Sequence, residues 1–131
     1  NDPLYPFGFG LSYTSFSYSD IKLSNASLRP GQTLNASVSV TNTGSRSGKE
    51  TVQLYIRDMA GSITRPVKEL KGFHKIDLEP GQSKRVEFTI SENDLKFYNS
   101  DLRYVAEPGD FKIFIGTNSR DVKEAGFRLL P

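Results

Sequence analysis

The sequence predicts an all-β fold: two packed sheets of seven or eight short strands, preceded by an extended apolar arm. Two observations carry this. Apolar and polar residues alternate at period two in four separate segments, and turn-forming residues punctuate them at sandwich-like intervals. The composition agrees, with 131 residues, 36% hydrophobic and 24% charged, which is one domain's worth of ordinary globular chain. The 11 glycines and 7 prolines favour short strands and tight turns. A small barrel is the alternative that the same pattern allows.

The first long strand covers residues 33–41, where Leu34, Ala36, Val38 and Val40 face one way and Asn35, Ser37 and Ser39 the other. Val52, Leu54 and Ile56 alternate with Thr51, Gln53, Tyr55 and Arg57, and Val86, Phe88 and Ile90 with Arg85, Glu87 and Thr89. Phe111, Ile113 and Ile115 alternate with Lys112 and Phe114, and Phe127 with Leu129 marks a short final strand. Each pattern is that of a strand with one buried and one wet face. Two segments slip phase. Phe16 and Tyr18 have one parity and Ile21 and Leu23 the other, so an extra residue near Ser19-Asp20 is required. Leu70 and Phe73 likewise differ across Gly72, and both slips read as β-bulges.

Arg29-Pro30-Gly31-Gln32, Glu79-Pro80-Gly81-Gln82 and Glu107-Pro108-Gly109-Asp110 each put Pro then Gly at the centre of a four-residue turn. Proline presets φ near −65° and glycine accepts the positive φ that follows, which is type II chemistry. Residues 43–48 make a looser hairpin loop. Ser91-Glu92-Asn93-Asp94 caps a single helical turn through Leu95. The set is a sandwich of immunoglobulin or fibronectin type III style over residues 15–131.

Residues 1–14 fit neither strand nor helix. Pro3, Pro6, Gly8 and Gly10 break both, while Leu4, Tyr5, Phe7, Phe9, Leu11 and Tyr13 make the segment apolar. It reads as an arm that needs a surface to lie on. Tyr5, Phe7, Phe9 and Tyr13, with Arg65, are the expected contacts to a neighbouring domain. The chain begins Asn1-Asp2-Pro3 with neither an initiator Met nor a signal-like start, and reads as a piece of something longer.

Little here points to chemistry. The absence of cysteine rules out disulfides, thiolate metal sites and a cysteine nucleophile. A net charge of +2 argues against nucleic acid as a partner, and no apolar run approaches the roughly 20 residues of a membrane-spanning helix. His74 is the sole histidine and reads as a strand residue beside the Gly72 bulge. Glu50, Asp58, Glu79, Glu87, Glu107 and Asp110 fall at wet strand positions or turns and read as solvated, not as a glycosidase-type pair. Arg65, Lys68, Lys71 and Lys75 read as a solvated face. Tyr55 and Phe114 point outward, where exposed rings could stack on sugars. Asn25-Ala26-Ser27 and Asn35-Ala36-Ser37 match the N-glycosylation acceptor pattern.

The arm and three later segments carry a resemblance. Pro3-Leu4-Tyr5-Pro6-Phe7-Gly8-Phe9-Gly10-Leu11-Ser12-Tyr13-Thr14, then Arg65-Pro66-Val67-Lys68-Glu69-Leu70-Lys71-Gly72-Phe73, Leu78-Glu79-Pro80-Gly81 and Ala106-Glu107-Pro108-Gly109 follow in order. Together they resemble the C-terminal fibronectin type III-like domain of glycoside hydrolase family 3, above all the periplasmic β-glucosidases. The resemblance implies a non-catalytic accessory domain that braces the catalytic domains of the same chain; a carbohydrate- or cell-wall-polymer-binding module is the alternative. It also implies a retaining hydrolase as parent, with its nucleophilic Asp and acid/base Glu upstream of this chain, no cofactor, and a periplasmic or secreted location. No catalytic residue carries over to this sequence.

Overall fold

The computed structural model describes residues 14–59, 68–98 and 101–131. In chain order the elements are β1 (Phe16–Tyr18), β2 (Lys22–Leu23), β3 (Ser27–Leu28), β4 (Thr33–Asn42), β5 (Gly48–Asp58) and β6 (Glu69–Leu78). There follow β7 (Ser83–Ser91), a 3-10 turn (Glu92–Leu95), β8 (Phe97–Tyr98), β9 (Tyr104–Val105), β10 (Gly109–Gly116) and β11 (Val122–Leu129). In the four-stranded sheet, β7 pairs along one edge of β4, while β1 and β2 lie end to end on the other. The five-stranded sheet runs β3-β11-β10-β5-β6, and β8 with β9 forms a separate small hairpin. The expected seven or eight strands are six long ones, the interrupted β1–β2 edge and the short β3; the β8–β9 hairpin was not foreseen.

The alternating apolar residues meet between the sheets. Leu34, Ala36, Val38 and Val40 from β4 and Val86, Phe88 and Ile90 from β7 face Val52, Leu54 and Ile56 from β5 and Phe111, Ile113 and Ile115 from β10. Phe127 stacks on Phe111 with ring centroids 5.6 Å apart. The final strand is longer than expected: β11 spans 8 residues because it pairs with β10 along its whole length. Ser37 faces away from the core yet is buried, with Arg85 Nη2 3.4 Å from its hydroxyl.

Both phase slips are bulges. Tyr18 lies opposite Val40 and Lys22 opposite Ser37, so four steps on the edge strand match three on β4. Ser19 Oγ fills the gap by accepting the Ser39 N–H at 2.8 Å. On β6, Gly72 pairs with Leu54 and Leu70 with Tyr55, leaving Lys71 as the extra residue. Two of the three Pro-Gly turns have the expected form. Gly31 and Gly81 have φ of +86° and +79°, and Gln32 and Gln82 donate back to Arg29 O at 3.0 Å and Glu79 O at 2.9 Å. Gly109 differs: its φ is +147° and it already pairs with Leu129 as the first residue of β10, so the third Pro-Gly is a bend into a strand. The helical turn forms as expected. Asp94 accepts the Ser91 N–H at 2.8 Å, and Leu95 is buried.

Candidate functional site

Three places bear on what this sandwich could meet or do. The first is where the chain enters. Asn42 closes β4 with the same inward parity as Val40 and is 0% exposed. Its amide nitrogen donates to Arg46 O at 2.8 Å and Leu78 O at 3.0 Å. Its Oδ1 accepts from Thr14 Oγ1 at 2.6 Å and Gly44 N at 2.9 Å. The backbone adds bonds to Gln82 O at 3.0 Å and from Gly81 N at 2.9 Å. One residue therefore ties the entry point, the β4–β5 loop, the end of β6 and the β6–β7 turn. A Cβ on Gly44 would overlap Thr14 Oγ1 and come within 2.8 Å of Thr14 Cβ, so glycine is required there by close approach.

The second place corrects the sequence reading of Glu50. It is not at a wet position: its inward parity with Val52 leaves it 8% exposed. Tyr18 Oη and Thr117 Oγ1 both donate to its Oε2, at 2.7 and 2.8 Å. Burial holds the Tyr18 phenol well above the usual tyrosine range, and the bond to Glu50 adds to this. No second carboxylate is buried beside Glu50 among the described residues. The arrangement braces the two sheets, whereas the two-carboxylate mechanism of a glycosidase needs a second carboxyl across the substrate.

The third place is the outer face of the five-stranded sheet. Leu54 and Ile56 point into the core, so Gln53 and Tyr55 point out, and pairing sets Phe114 and Leu70 beside Tyr55 and Phe73 beside Gln53. Phe114 is on the expected face but is not exposed, at 3%. The Lys68 ammonium sits 4.4 Å from its ring centroid while donating to Ser119 O at 2.8 Å, and Arg57 lies 5.7 Å away. Lys68 therefore covers a ring instead of lying on a solvated face, and Phe114 has no open face for a sugar. Tyr55 is half-buried, and its hydroxyl donates to Gln53. Leu70 and Phe73, by contrast, are 52% and 55% exposed.

His74 stands beside the bulge as expected, its ring 4.8 Å from Phe88 and its Nε2 3.1 Å from Glu87 O. The expected neighbour contacts Tyr5, Phe7, Phe9, Tyr13 and Arg65 lie outside the described residues. Asn42 and Glu50 were missed although parity with Val40 and Val52 marks both. The bulge gives Leu70 and Phe73 a common face, as the sequence predicts, but that face is the solvent side of the sheet and not the core. Among the described residues, no group of three or more His, Cys, Asp or Glu could hold a metal, and no helix is long and apolar enough to cross a membrane.

Comparison with known proteins matches residues 50–119 to the model of the fibronectin type III-like domain. The chain belongs to that family. The domain is 52% identical over 130 residues to a periplasmic β-glucosidase of Salmonella typhimurium, covering 99% of this chain and 17% of that protein. A β-xylosidase of Formosa agariphila is 49% identical over 118 residues, covering 90% of this chain and 16% of its own length. Among solved structures, a β-glucosidase from Erythrobacter marinus matches 98% of the domain and 17% of its own chain, with a TM-score of 0.86 and 44% identity. A Listeria innocua β-glucosidase in complex with isofagomine gives 0.84 and 40%, over 98% of this chain and 18% of that one. The fibronectin type III-like domain thus spans about one sixth of the length of these relatives.

Proposed function

We propose that this domain is the non-catalytic accessory part of a β-glucosidase-type glycoside hydrolase and braces the catalytic domains of the same polypeptide. One observation carries the reading: 99% of the chain aligns at 52% identity with only 17% of a periplasmic β-glucosidase. The remainder of such a protein has room for the nucleophile and the acid/base group, and among the described residues Glu50 is the one buried carboxylate, held by Tyr18 and Thr117. In this reading residues 1–14 bridge to the preceding domains through Tyr5, Phe7, Phe9 and Tyr13, with Arg65 as a further contact, and the parent works in the periplasm or outside the cell.

Deleting residues 14–131 from the full-length enzyme tests this. The expected result is loss of soluble, active enzyme or a marked fall in its melting temperature, with KM little changed in whatever active fraction remains. A truncated enzyme as stable and as active as the whole would refute the bracing role. A truncation that left soluble-substrate turnover intact but abolished retention on an insoluble glucan would instead support the polymer-binding module.

A further inference from the structure

We infer that Leu70 and Phe73 form the centre of a docking surface for the preceding domains of the same polypeptide, which present an apolar patch rimmed by carboxylates. This rests on the accessory-domain reading above and says which face of the domain is used. Among the described residues β6 is the edge strand of its sheet, and these two residues are more than half exposed on it. An edge strand that shows Leu and Phe to water invites pairing with other chains, and stable proteins cover or charge such edges. The bulge at Lys71 is what makes the patch. Without the extra residue, Leu70 and Phe73 would face opposite ways; with it, they lie side by side beyond Tyr55 and Gln53.

Two observations select the occupant. The relatives continue for some five-sixths of their length beyond the part matched here, so most of the polypeptide is available to lie on this face. The surroundings are cationic: Lys68, Lys71 and Lys75 interleave with Leu70 and Phe73 along the chain, Arg57 lies on the paired β5, and the one carboxylate in this stretch of β6, Glu69, is 3.3 Å from Lys71 among the described residues. A complementary surface carries carboxylates at its rim.

The test uses the full-length enzyme bearing Phe73→Cys or, separately, Leu70→Cys, reacted with a maleimide and followed by peptide mass spectrometry. Both positions are exposed in the domain itself, so neither change removes a core contact. If the surface is docked, each thiol reacts at least about tenfold more slowly than an unstructured cysteine peptide, and this protection is unchanged on about 100-fold dilution. Smaller protection at both positions overturns the docking surface. Protection that disappears on dilution makes the occupant a second copy and overturns the assignment to the same polypeptide. Fast labelling in an enzyme that the 14–131 deletion cripples refutes only the choice of face. A harmless deletion refutes the accessory reading beneath it.

Discussion

The Tyr18 hydroxyl reaches across the sandwich to Glu50 Oε2, 2.7 Å away, and so joins the edge of one sheet to the interior of the other. A cysteine-free fold has no disulfide to do this, and the carboxylate takes a second bond from Thr117 to complete the brace. Removing one partner of a buried charged hydrogen bond leaves the other desolvated and unmet.

Tyr18→Phe should therefore destabilise the domain by about 1.5–3 kcal/mol at neutral pH, read as a shift in the urea midpoint. Conservation of the midpoint would show that Thr117 alone satisfies Glu50.

The same pair sets a pH dependence. Tyrosine in the unfolded chain ionises near pH 10, whereas burial keeps folded Tyr18 protonated well beyond that. Below about pH 10 both states hold the proton and the bond contributes in full; above it the unfolded state gives up its proton first, so stability falls as pH rises. Urea titrations between about pH 7 and 11 should show this fall steeper in the native sequence than in Tyr18→Phe. Parallel curves would contradict it.

Asn42→Ala should cost more, about 3–5 kcal/mol, because it strands the carbonyls of Arg46 and Leu78 and the Gly44 N–H at a buried junction. Asn35→Ala, on the outer face of the same strand, should stay within about 0.5 kcal/mol. Equal effects of the two substitutions would remove the special status of the junction.

Gly31→Val and Gly81→Val should each destabilise by about 1–3 kcal/mol, since a β-branched residue is strained at φ of +86° or +79°. Nothing lies within 4 Å of a Cβ at either site, so the loss would be conformational and not steric. Melting temperatures unchanged in both variants would show that the turns rearrange freely.

The isolated chain should not hydrolyse an aryl β-glucoside. Turnover that rises with purity and is abolished by Glu50→Gln would show that Glu50 is reactive rather than a brace.

Period-two alternation made nearly all of the core legible, because a strand with one wet face writes its geometry directly into the residue order. Carrying the same parity two residues further in β4 and two residues back in β5 would have placed Asn42 and Glu50 inside as well; their polarity obscured a pattern that was there. Phe114 is a different case. Its outward direction was readable, but the Lys68 side chain that covers it comes from another part of the chain, and no local pattern encodes that. Gly109 shows that a Pro-Gly pair states a backbone preference without deciding whether a turn or a strand entry follows. The Leu70–Phe73 patch depends on where the bulge falls, and that is set by pairing with β5.

The junction at Asn42 also has a mechanical meaning. Thr14, the first described residue, bonds to the same amide that holds Leu78 in the opposite sheet. A pull or torque applied at Thr14 is thereby delivered to both layers at once, through one side chain. Sliding of one layer over the other at this end would have to break the Asn42 bonds to Leu78 O and Arg46 O. A load on Thr14 is therefore shared between the two layers from the outset instead of being passed from one to the other.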